Sequence, residues 1–129
     1  MIVHLSKEFR FEASHQLPNH DGKCARLHGH SWVLLVGVVG VVNTVKGFAK
    51  EGMVRDYADI KGPMQPLIDQ LDHHHLNDLL GDYPPTSENV LIWIASHLEE
   101  MDFDWEFLIL EETCTSKATL IREENLSGF

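Results

Sequence analysis

At 129 residues the chain is one domain's worth, and a hydrophobic fraction of 43% supports a core without a disulfide or metal staple. Twenty acidic residues against ten basic ones give a formal charge of −10, which excludes the basic stripe of a nucleic-acid binder but leaves room for an anionic small molecule met by a few local cations. The opening MIVHLSKEFRF lacks the apolar core of a signal peptide, and the apolar run 33–42 is broken by Gly37 and Gly40 and is too short to cross a bilayer, so a soluble cytoplasmic protein with no membrane partner is expected.

Residues 7–15 alternate, with Phe9, Phe11, Ala13 and His15 on one face and Arg10, Glu12 and Ser14 on the other, the period of a strand. Pro18, Asn19, Asp21 and Gly22 predict a loop over 16–27. A second strand is expected over about 28–42 and is apolar on both faces, the pattern of a strand covered on both sides. One small sheet cannot easily cover both, so the run points to oligomerisation. Ile60, Met64, Leu67, Ile68 and Leu71 fall at helical spacing, and Pro63 and Pro66 predict a late start or a kink. A second helix is predicted from a Thr86 or Ser87 cap, Glu88 in the first turn, and the stripe Leu91, Ile94, Ala95 and Leu98. Phe103, Trp105, Phe107 and Ile109 alternate in a third strand ending near Thr113. A turn at 115–117 then leads into a last strand over about 118–123. Disorder is expected only over 125–129. The order ββααββ describes a single α+β domain over 1–129, with an antiparallel sheet and no repeat or linker.

The sharpest chemical signal is Cys24-Ala-Arg-Leu-His28-Gly-His30. Histidines at i and i+2 of a strand point to one face and can share a metal, and a hairpin can bring His15 of the preceding strand to them. Three neutral imidazoles with an open fourth position describe a catalytic zinc site; a pair of strand histidines without metal is the competing reading. Cys24 can be a fourth ligand, a thiolate base or nucleophile beside the cation, or an inert thiol. Cys114 has no comparable setting, and a disulfide between the two is the weaker reading in a cytosolic chain. In Asp72-His73-His74-His75 the aspartate suggests one oriented imidazole that moves protons, although tandem histidines also occur at helix ends. Glu112 is in phase with Leu108 and Leu110, so its carboxylate needs a partner and suits a ligand's amidine-like N–H pair; a solvated strand end is the alternative.

Six stretches can be taken together: FEASH (11–15), CARLHGH (24–30), GMVRDYADIK (52–61), LDHHHLN (71–77), PTSEN (85–89) and ETCT (112–115). In that order they resemble the 6-pyruvoyl-tetrahydropterin synthase superfamily, and most closely its bacterial 6-carboxytetrahydropterin synthases of queuosine biosynthesis. The resemblance implies the tunnelling fold, with two helices on one face of the sheet, assembled as an oligomeric barrel and a homohexamer built from two trimers. It implies Zn2+ on His15, His28 and His30, a catalytic Cys24, and an Asp72–His73 proton relay. It further implies a Glu112 anchor for the pterin ring, with Thr86, Ser87 and Glu88 in the loop touching that ring. The reaction it implies converts 7,8-dihydroneopterin triphosphate to 6-carboxy-5,6,7,8-tetrahydropterin, acetaldehyde and triphosphate. The Cys-x3-His-Gly-His spacing followed by Ser31 resembles the carboxy-type enzymes. A pyruvoyl-type elimination that keeps the side chain, and a non-catalytic zinc module, are the competing functions. Lys23 and Arg26 are cations within reach of a triphosphate. Pro63, and Trp32 in place of a smaller aromatic, depart from the family pattern without touching a motif residue.

Overall fold

A computed structural model of the chain describes residues 1–123. The elements in chain order are β1 (Val3–His15), β2 (His28–Gly40), α1 (Tyr57–Leu71), β3 (His74–His75), α2 (Leu76–Leu80), α3 (Ser87–Glu100), β4 (Phe107–Thr113) and β5 (Ser116–Ile121). The sheet order is β3-β1-β2-β4-β5, antiparallel throughout except for the short β3 beside β1. This is the expected α+β class. The pair β3–α2 is an addition to the ββααββ order; two and five residues are too short to register as periodicity.

Alternation places Phe9, Phe11 and Ala13 of β1, Trp32, Leu34, Val36 and Val38 of β2, and Leu108 and Leu110 of β4 in the core. Ile60, Met64, Leu67 and Leu71 of α1 and Val90, Leu91, Ile94 and Leu98 of α3 supply the helical side of that core. Trp32 is completely buried, stacks on Phe11 at a centroid distance of 5.9 Å, and donates its indole N–H to the Ala13 carbonyl at 3.1 Å. Its one polar atom is therefore satisfied, so the ring acts as a dry block at one end of the core.

Several expectations are corrected. β1 begins at Val3, earlier than residue 7. α1 starts at Tyr57 despite both prolines, capped by Asp56, whose carboxylate accepts from the Ala58 amide at 3.0 Å. The prolines remove the donors that would reach the Asp59 and Gly62 carbonyls. Both of those residues are exposed, so solvent can replace the lost bonds. β4 begins at Phe107 rather than at Phe103. Phe103 and Trp105 are buried, yet the Phe103 amide donates to Leu98 at the end of α3 instead of to the ladder. The β4–β5 turn is Cys114 and Thr115, and β5 starts two residues earlier than expected. The second face of β2 is not buried within one chain: Val33 and Leu35 are half-buried and Val39 is exposed. The expected disorder over 125–129 falls outside the described residues. Among the described residues no helix is long and apolar enough to cross a membrane.

Candidate metal centre

His15 and His28 form the last pair of the β1–β2 ladder, and His30 stands opposite Ala13. Alternation turns all three imidazoles to the core face at the end of the sheet, where Trp32 lies edge-on to His15 and His30 at centroid distances of 5.2 and 5.5 Å. The three imidazole centroids are 4.5 to 5.1 Å apart. The hairpin thus assembles the expected histidine set on a rigid, dry floor.

A fourth group joins them. Between Glu111↔Lys117 and Thr113↔Ser116 the β4–β5 ladder carries one extra residue, Glu112. A bulge of this kind re-aims a side chain. The Glu112 Oε1 lies 3.0 Å from His30 Nε2 and 3.4 Å from His15 Nε2, and one ligand atom from each of His15, His28, His30 and Glu112 falls within 4.8 Å of the others. The other carboxylate oxygen accepts from Ser87 Oγ at 2.9 Å.

The hydrogen bonds fix which nitrogens are available. His15 donates through Nδ1 to the Pro85 carbonyl at 2.8 Å, and His28 through Nδ1 to the Arg26 carbonyl at 2.7 Å. In the neutral rings this leaves the Nε2 lone pairs facing inward, the tautomer that carbonyl-bonded metal-ligating histidines adopt. The buried His15 and His30 Nε2 atoms have no hydrogen-bond partner; their approaches to Glu112 are ion-pair distances without hydrogen-bond alignment. Burial holds the His30 imidazole below the usual histidine range, against the opposing pull of Glu112 and with the help of His15 and His28, which favours the neutral, coordinating form. Orphaned buried nitrogens around a carboxylate are a donor set that fits a metal ion.

The remaining expected residues divide. Cys24 sits in a 3-10 turn (Lys23–Ala25), half-buried, and its thiol is not among the four converging groups. Asp72 and His73 form a dyad, Oδ2 to Nδ1 at 3.0 Å. The backbone of Glu12 clamps it: the Glu12 amide donates to Asp72 Oδ1 at 2.8 Å and the His73 amide to the Glu12 carbonyl at 2.6 Å. This holds His73 at φ 58°, a left-handed conformation rare outside glycine. The same Glu12 amide bond and then His73 keep the Asp72 carboxyl below its usual range. The His73 ring is 79% exposed and borders a cleft of about 480 Å³ with Glu12, Ser14, Gly29 and Ser31. Those four residues alternate with the candidate ligand histidines along their strands, and His30 lines the same cleft, while neither Asp72 nor His73 is among the groups that converge with the imidazoles. Thr86 caps α3 by accepting from the Asn89 amide at 3.1 Å, Ser87 holds Glu112, and Glu88 is exposed in the first turn. Lys23 and Arg26 are exposed.

Sequence reasoning missed the Pro85 and Arg26 carbonyls, which leave no side-chain signature, and the place of Glu112 beside the imidazoles. It also missed a Ser14 Oγ to His75 Nδ1 bond of 3.0 Å that ties β3 to β1.

Comparison with known proteins identifies the family. A 6-pyruvoyl tetrahydropterin synthase family model matches residues 4–123. The chain is 46% identical over 114 residues to a 6-carboxy-5,6,7,8-tetrahydropterin synthase of Synechocystis sp., covering 87% of this chain and 88% of that protein. It is 30% identical to a dihydroneopterin monophosphate aldolase of Pyrococcus furiosus, over 70% of this chain and 69% of the relative. The fold superposes on Caenorhabditis elegans 6-pyruvoyl tetrahydropterin synthase with a TM-score of 0.82 at 28% identity, covering 95% and 97% of the two chains. With four groups that could hold a metal ion converging at the end of the β1–β2 hairpin, and with this match along the chain, the protein belongs to the 6-pyruvoyl tetrahydropterin synthase family.

Proposed function

We propose that the chain is a zinc-dependent 6-carboxy-5,6,7,8-tetrahydropterin synthase, a lyase that converts 7,8-dihydroneopterin triphosphate to 6-carboxytetrahydropterin, acetaldehyde and triphosphate. The observation that carries the reading is the set His15, His28 and His30, in which hydrogen bonds turn the Nε2 lone pairs of His15 and His28 inward and the buried Nε2 atoms of His15 and His30 have no partner, in a chain so close to the Synechocystis synthase. Three imidazoles are the donor set of a catalytic zinc rather than a closed structural one. Bound there, zinc supplies Lewis acidity to the hydroxyls of the substrate side chain.

The chain's own residues divide the remaining work. Glu112, steadied by Ser87, accepts the N–H pair of the pterin ring, and 86–88 border that ring. Cys24 takes a proton from the side chain, and His73, oriented by Asp72, returns one. The dyad is not among the groups that converge with the imidazoles of its own chain, and in this reading it serves the centre of another copy. The half-covered apolar outer face of β2 and the family resemblance support an assembly of two trimers. Two free cysteines suit a reducing cytoplasm and a role in queuosine or related deazapurine biosynthesis.

The likeness to the C. elegans enzyme favours a second reading, triphosphate elimination that retains the side chain as a pyruvoyl group. Product analysis after incubation with 7,8-dihydroneopterin triphosphate separates the two. Acetaldehyde with a 6-carboxy pterin supports the proposal, and a pterin that keeps all its side-chain carbons supports the second reading. Light scattering is expected to report a hexamer; a stable monomer at micromolar concentration would refute the shared site.

A further inference from the structure

We infer that Glu112 is a displaceable fourth metal ligand, which closes the centre while no pterin is bound and leaves it when the ring arrives. The inference rests on the reading above of the ring as the Glu112 partner.

The argument begins with a conflict of lone pairs. His15 has committed its Nδ1–H to the Pro85 carbonyl, so a neutral ring presents a bare Nε2 to the Glu112 oxygen 3.4 Å away. Two acceptors facing each other in a site floored by Trp32 repel, and the pairing becomes favourable once a cation lies between them. His28 is committed in the same way through Arg26, and the buried His30 Nε2, 3.0 Å from the same Glu112 oxygen, has no hydrogen-bond partner. One carboxylate oxygen and three imidazole nitrogens within 4.8 Å make four donors, the number that fills a tetrahedral zinc site.

A permanently filled site has no position for substrate hydroxyls, and the structure shows how the fourth ligand can withdraw. Glu112 stands on a bulge, is 26% exposed, and has only Oε2 fastened, to Ser87. The Oε1 atom can turn without disturbing the strand. A paired N–H donor such as the pterin ring edge requires both carboxylate oxygens together. Seating the ring therefore takes Oε1 from the cluster and frees one position. A polyol or phosphate without that N–H pair meets a closed centre.

The test uses the full-length protein with its metal removed by chelation and replaced by one Co2+ per chain. The visible cobalt bands report the ligand set independently of turnover. Wild type and Glu112→Gln are expected to differ in those bands. Zn2+ affinity, measured by competition with a chelating dye, is expected to fall about 10–100-fold in the variant, at least what loss of an orienting partner costs. Titrating the wild type with 7,8-dihydroneopterin should move its bands. Matching bands and equal zinc affinity in the two proteins would overturn the ligation. Pterin binding to wild type with unchanged bands would overturn the displacement, and that titration alone decides if Glu112→Gln does not fold. If wild type binds no pterin yet differs from Glu112→Gln in bands and affinity, the fourth ligand stands and the functional reading is the one that fails.

Discussion

His15 and Pro85 are joined by a buried bond of 2.8 Å across 70 positions of sequence, from a ring nitrogen of β1 to the carbonyl just before α3. The start of α3 therefore sets the tautomer of a candidate metal-ligating histidine. Thr86 holds that start by capping Asn89. Thr86→Ala should cost about 1 kcal/mol, the usual value of such a cap. As Pro85 loosens, zinc affinity should drop about 10-fold, at the low end of the cost of losing an orienting partner. Thermal unfolding and chelator competition measure the two effects.

Gly37 has no room for a side chain. A Cβ there would lie 2.1 Å from the Phe107 ring, which covers the glycine on the outer face of the sheet. Gly37→Ala must displace that ring or the strand, at about 1–3 kcal/mol, the usual cost of overpacking. Thermal denaturation should show the loss while leaving zinc content intact, because the site lies at the other end of β2.

The convergence of the three histidines was legible because two periodicities agree. A period of 2 put His28 and His30 on one face and His15 on the matching face of the neighbouring strand, and the hairpin did the rest. Glu112 was legible as inward-facing from its phase with Leu108 and Leu110. Its nearness to the imidazoles was not, because a bulge is a property of two paired strands rather than of one sequence. The missed start of α1 has a related cause: Pro63 and Pro66 read as breakers, yet the carbonyls they leave without a helical donor belong to Asp59 and Gly62, both exposed, where solvent can replace the lost bonds. β3 escaped notice because its two residues pair with Ala13 and Ser14 of β1, and His75 with Ser14 at a separation of 61 positions.

Asp72 carries a pH dependence of known sign. Its carboxyl is held below the usual range, first by the Glu12 amide and then by His73. A depressed folded value contributes stability above the unfolded aspartate pKa of about 3.9, lost as pH falls through the folded value. Asp72→Asn should remove this contribution, so the variant's melting temperature should decline less than wild type's between neutral pH and acid. Turnover should also fall, by about 10²–10⁴-fold if His73 acts as proton donor.

Cys24 lies outside the four converging groups. Cys24→Ala should therefore keep its zinc, its assembly and its pterin binding while turnover falls about 10²–10⁴-fold, the usual cost of losing a general base. Loss of zinc together with normal turnover in the residual protein would make the residue structural.

The most direct test of the account measures zinc content and acetaldehyde release on the same preparations of wild type and His28→Ala. The account predicts one zinc per wild-type chain, acetaldehyde formed from 7,8-dihydroneopterin triphosphate, and loss of both in the variant. Full zinc occupancy in His28→Ala, or acetaldehyde release from a zinc-free wild-type chain, would contradict it.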